Sequence, residues 1–124
     1  MNCVVITTDF VLPVLLRAEM AEEKAAVRSF ESWRNAETEF LLGNIHPHVL
    51  VFDLEYQPTP EAALGALARC VSSHKILVLT GAASLPAEDL NALGFPHALS
   101  RPCTIEELMN GIHKISNVQP KEAA

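Results

Sequence analysis

The stretch Val49-Leu50-Val51-Phe52-Asp53 constrains this chain more than any other. Four apolar residues in a row, three of them β-branched or aromatic, run into a single carboxylate. The run is too short for a helix core and too unbroken for a strand with one wet face. It reads as a strand buried on both faces, the habit of parallel sheets. Cys3-Val4-Val5-Ile6 and Ile76-Leu77-Val78-Leu79-Thr80 have the same character. A carboxylate at the C-terminal end of such a strand stands where open α/β sheets gather their chemistry. Asp53 is therefore the first candidate functional residue.

Helical patterns fill the intervals. Leu12, Leu15, Leu16 and Met20 follow the first strand, and Pro13 confines the helix start to Val11 or Leu12. Val27 to Phe30 is a short second strand. Asn35 to Leu42 is a helix closed by Gly43-Asn44, with Trp33 in the loop before it. Thr59-Pro60-Glu61 is a helix start, with Thr59 as the cap. Pro86 opens a short helix ending at Leu93-Gly94, after a loop over 81–84. Ala98-Leu99-Ser100 is a last short strand. Thr104-Ile105-Glu106-Glu107 forms a capping box, ahead of the stripe Ile105, Leu108, Met109, Ile112 and Ile115. Five strands alternating with five helices require right-handed crossovers and a parallel sheet covered on both faces.

The 124 residues suit one core, with residues 1–118 as the domain and 119–124 as a flexible tail. The net charge of -6 argues against a nucleic-acid binder, which normally shows a basic patch. Three dispersed cysteines, Cys3, Cys70 and Cys103, form no C-x-x-C and suit a reducing compartment. No signal peptide or membrane span is evident, so a soluble, cytoplasmic protein is expected. The five histidines show no ligand spacing.

In a parallel sheet the strand ends share one crevice. Thr8-Asp9, Asp53, Thr80-Gly81 and Arg101-Pro102 would meet there: two carboxylates, two hydroxyls and a cation. Two plainer roles stand beside a functional one. Asp53 and Arg101 could form a structural ion pair, and Asp9 could be the N-cap of the first helix.

In their order and at their strand ends, these segments resemble the receiver domain of two-component response regulators. The matching pieces are 4–10, 49–54, 76–81 and Gly94 through Arg101-Pro102 to Ile115, so the resemblance covers nearly the whole chain. It implies a flavodoxin-like doubly wound five-stranded parallel sheet, a (βα)5 three-layer sandwich. It also implies phosphorelay signalling with Asp53 as phospho-acceptor. Asp9, Asp53 and the backbone carbonyl of Glu55 would hold Mg²⁺, and Thr80 and Arg101 would contact the phosphoryl group. A sensor kinase or other signalling protein would meet the Gly81–Leu99 face, and a homodimer is compatible with this. No catalysis of its own, no nucleic acid and no membrane are expected.

The chain departs from that pattern. Thr8 stands where one acid of a pair is expected, which weakens the expected Mg²⁺ site. If the loop is shifted by one, Thr7-Thr8 replace both acids. Arg101 stands for a lysine, and its planar fork could grip Asp53 bidentately and lock an unphosphorylated site. Ala98 occupies the position of an aromatic switch. With these departures two versions stand side by side: phosphorelay through Asp53, and a degenerate pseudo-receiver that works as a phosphorylation-independent interaction module. A small flavodoxin-like cofactor or enzyme domain is the alternative, although G-x-G-x-x-G, P-loop and G-x-S-x-G motifs are absent. A receiver fragment of a larger regulator is a third possibility.

Overall fold

The computed structural model describes residues 1–81 and 85–117. Five strands, β1 (Asn2–Ile6), β2 (Ala26–Phe30), β3 (Val49–Asp53), β4 (Ile76–Thr80) and β5 (Ala98–Ser100), form one parallel sheet in the order β2-β1-β3-β4-β5. Five helices alternate with them: α1 (Val11–Met20), α2 (Trp33–Leu41), α3 (Pro60–Ala68), α4 (Ala87–Ala92) and α5 (Ile105–Ser116). This is the doubly wound arrangement the strand pattern calls for. Short 3₁₀ turns at Ala21–Glu23 and Ser73–Lys75 complete the crossovers.

The two-residue period of a strand explains the unbroken apolar runs. Val4, Ile6, Leu50, Phe52, Ile76 and Val78 face one side, packed with Trp33, Ala36, Phe40, Leu64, Leu67 and Leu90 of α2, α3 and α4. Cys3, Val5, Val49, Val51, Leu77 and Leu79 face the other, packed with Leu12, Leu16 and Met20 of α1 and Leu108, Met109, Ile112 and Ile115 of α5. All five residues of β3 are buried, as are all five of β4.

Local signals behave as expected in most places. Gly43 takes φ 73° after α2, the left-handed closure that glycine allows. The capping box is complete: Thr104 Oγ1 accepts from Glu107 N–H, and the Glu107 carboxylate accepts from Thr104 N–H, each at 3.0 Å. Three expectations need correction. Trp33 is not in a loop but opens α2, because Ser32 caps that helix by accepting from Asn35 N–H. Thr59 precedes α3 in a left-handed conformation, φ 44°, and its side chain makes no cap bond; Pro60 at the first position and Glu61 in the first turn remain as the start signals. Phe10, not Asp9, holds the N-cap position of α1, although Asp9 Oδ1 accepts from Val11 N–H at 2.9 Å. The expected tail over 119–124 lies outside the described residues. Among the described residues no helix is long and apolar enough to cross a membrane.

Candidate functional site

Asp53 ends β3 and is 1% exposed. Its position in the strand sends its side chain to the α1/α5 side, with Val49 and Val51. The β1–β3 register pairs Ile6 with Phe52, so the next residues, Thr7 and Asp53, stand opposite each other on that side. Thr7 Oγ1 donates to Asp53 Oδ2 at 2.8 Å. Thr7 N–H still bonds Phe30 O, which holds the residue on the line of the strand.

Arg101 enters from β5. Its N–H donates to Thr80 O at 2.7 Å, extending the β4–β5 ladder by one residue and aiming the side chain across the sheet end. The Arg101–Pro102 peptide is cis. The guanidinium grips Asp53 at two points, Nη2 to Oδ2 at 2.7 Å and Nε to Oδ1 at 3.4 Å. Glu55 Oε2 lies 3.4 Å from Nε, and Asp9 Oδ2 lies 3.9 Å from Nη2. Three carboxylates thus converge on one cation. Burial works against the charge of Arg101. The hydrogen bond and charge of Asp53, then Glu55 and Asp9, outweigh it and hold the guanidinium above its usual pKa.

Glu55 N–H donates to Asp53 Oδ1 at 3.1 Å. Each Asp53 oxygen therefore meets two donors: Glu55 N–H and Arg101 Nε on one, Thr7 Oγ1 and Arg101 Nη2 on the other. A carboxylate offers about four lone-pair positions. All four of Asp53's are in use.

The structure brings Asp9, Asp53, Glu55 and Arg101 together. Thr7 joins them as a direct partner of Asp53, whereas Thr8 is half-buried one residue further on. Thr80 is buried, but its position in β4 directs it to the opposite side of the sheet from Asp53, with Ile76 and Val78. Its hydroxyl donates to the carbonyl of Leu85. Ala98 pairs with Val78 in β5 and packs against the α2–α4 core. Cys103 is half-buried nearby; burial raises its thiol pKa, Arg101 opposes this, and Glu107 and Asp53 add to it.

Residues so arranged do not fit a divalent ion. The position between the carboxylates is filled by a guanidinium, both Asp53 oxygens are engaged, and Thr8 brings no charge. Among the described residues no group of three or more His, Cys, Asp or Glu side chains is placed to hold a metal.

No known family profile and no curated protein matches the sequence. Solved structures do. Adenylate cyclase from Rhodopirellula baltica superposes with a TM-score of 0.76 at 19% identity, covering 98% of this chain and 94% of that one. A response regulator receiver domain protein from Clostridium thermocellum gives 0.76 at 18% identity, covering 94% of each chain. A response regulator receiver protein from Sinorhizobium medicae gives 0.73 at 16%, again covering 94% of each. At such identities the likeness establishes the fold, which is that of the receiver domains.

Proposed function

We propose that this chain is a receiver-type signalling module of the two-component kind that works by protein contact, with Asp53 held unphosphorylated. The observation that carries this reading is the saturation of Asp53. Attack on a phosphoryl group requires a free oxygen lone pair on the acceptor and a cation placed on the transferring group. Here Arg101, Thr7 and the Glu55 amide occupy both Asp53 oxygens, and the cation is spent on the acceptor itself. The same arrangement argues that Mg²⁺ is not part of the working protein.

The partner is a sensor kinase or another signalling protein that meets the Gly81–Leu99 face. Leu93, 58% exposed at the end of α4, offers that face an apolar contact. A second copy of the chain is a further candidate. The module needs no catalysis of its own, and its fold-level kinship to receivers is an analogy that the site geometry qualifies.

The test is incubation with acetyl phosphate and Mg²⁺, followed by intact mass. No adduct is expected. A single added phosphoryl group that disappears in Asp53→Asn would instead support phosphorelay through Asp53.

A further inference from the structure

The start of α1 is apolar all round. Phe10 to Leu16 is a run of seven apolar residues with no charge among them. A surface helix normally carries one apolar stripe, and a helix that is apolar on every side is one that is covered on every side. The chain's own sheet covers only part of α1. Leu12, Pro13 and Leu16 are buried, whereas Phe10 is 78% exposed, Val11 60%, Val14 61% and Leu15 44%. Phe10 has helical dihedrals at the N-cap, so these four stand at helical spacing on one outward face.

The charges that bound the run are engaged within the chain. Asp9 Oδ1 accepts from Val11 N–H, and Oδ2 lies 3.9 Å from Arg101 Nη2. Arg17 reaches back to β2, donating to Val27 O at 3.4 Å and to Ser29 Oγ at 3.2 Å. Glu19 lies past the end of the stripe. At their exposures the four side chains present on the order of 400 Å² of apolar surface. The largest patch on a monomer is about 300–600 Å² and is often a contact site. A stable interface takes about 800 Å² from each partner, with its most apolar part at the centre and a polar rim around it. The stripe is large enough to be such a centre.

We propose that this face of α1 binds a second copy of the chain as an antiparallel two-fold pair. The stripe is its own complement. Phe10, Val11, Val14 and Leu15 are placed symmetrically about the point between Leu12 and Pro13. A two-fold axis there lays Phe10 and Val11 of each copy against Val14 and Leu15 of the other. Every member of the stripe then has an apolar partner, as an interface built from one patch used twice requires. The antiparallel sense also opposes the two helix dipoles and sets the two Glu19 carboxylates at opposite ends of the pair, where a parallel sense would bring them together. The face is distinct from Gly81–Leu99, and the pairing stands whether or not Asp53 is phosphorylated.

Sedimentation velocity of the whole chain from about 1 μM to about 1 mM tests this. The average mass should climb from the monomer value toward twice that value. Val11→Lys and Val14→Glu alter exposed positions and leave the core untouched. Each alone should weaken pairing about a hundredfold, since a symmetric pair meets the change twice. Mixed in equal amounts the two variants should pair again, because the new ammonium of one then faces the new carboxylate of the other. Leu93→Asp, at the exposed end of α4, should pair as the wild type does. The proposal is overturned if the wild type stays monomeric across the range, the outcome expected when a different protein covers the stripe. It is equally overturned if Val14→Glu pairs as the wild type does, if the mixed variants stay monomeric, or if Leu93→Asp abolishes pairing.

Discussion

Thr7 and Asp53, 46 residues apart in sequence, are joined by a 2.8 Å hydrogen bond between the ends of adjacent strands. The pair exists because β1 and β3 run parallel in a register that sets them opposite each other on one side of the sheet. It converts a hydroxyl beside the first crossover into a permanent donor to the most buried carboxylate of the site.

Thr7→Val keeps shape and removes the donor. One oxygen of a buried carboxylate then loses a partner while the packing stays. Stability should drop by about 1.5–3 kcal/mol, the range for hydrogen bonds to charged groups. Urea denaturation measures this, and an unchanged midpoint would show that the bond contributes nothing net.

Breaking the Asp53–Arg101 pair from its two sides should cost unequal amounts. The side chain of Asp53 is 2% exposed and that of Arg101 is 25% exposed. Arg101→Met strands a fully buried carboxylate, for which about 3–5 kcal/mol is typical. Asp53→Asn leaves Arg101 partly wet and still beside Glu55 and Asp9, so about 1–2 kcal/mol is expected once solvent screening is counted. Paired denaturation curves decide the order.

If Arg101 and the missing acid keep Asp53 silent, restoring both should release it. The double variant Thr8→Asp/Arg101→Lys should accept a phosphoryl group from acetyl phosphate in the presence of Mg²⁺, seen by intact mass. Adding Asp53→Asn should abolish the adduct. Failure of the double variant would place the block elsewhere than in these two residues.

His97 predicts a pH effect. Its pKa lies below the usual histidine value, chiefly through burial, with the charges of Lys114 and His74 adding to it. The folded chain therefore resists protonating it, while the unfolded chain protonates it near pH 6.5. Its contribution to stability is complete above that pH and is lost as the pH falls through the window down to the folded value. Wild type should lose more stability than His97→Gln between about pH 7.5 and about pH 5.5. Denaturation of both proteins at the two pH values measures the difference.

The cysteines should separate by reactivity. Cys70 is exposed, Cys103 is half-buried with its thiol pKa raised, and Cys3 is buried with its pKa pushed up to about 12. Since the thiolate is the nucleophile, iodoacetamide should label Cys70 first, Cys103 slowly and Cys3 only on unfolding. Time-resolved peptide mass spectrometry gives the order.

The strands could be read from the chain because their signals are local: β3 and β4 are apolar on both faces, and nothing else explains runs like Val49 to Phe52. The α5 start was equally plain, since Thr104 and Glu107 satisfy each other within one turn. Asp53 and Arg101 could be placed from their strand ends. Whether Thr7 or Thr8 would touch Asp53 could not, because the answer lies in a register between strands 46 residues apart. Ser32, three residues ahead of Asn35, was a usable sign that Trp33 begins a helix. Thr80 is the opposite case. Its residue type fits a phosphoryl contact, but the period of β4 sends it to the other face, and its acceptor, Leu85 O, belongs to a later segment.

Arg101 has one further consequence. A cation bonded covalently to β5 has a fixed stoichiometry at Asp53, and its local concentration is set by the backbone, not by the medium. A guanidinium is charged at any pH a cell reaches, and its three acidic neighbours raise its pKa further. Chelators cannot strip it, and dilution cannot weaken it. If Asp53 is held unphosphorylated as proposed, changes in the abundance of the protein, or of whatever binds it, are the remaining variables of such a site.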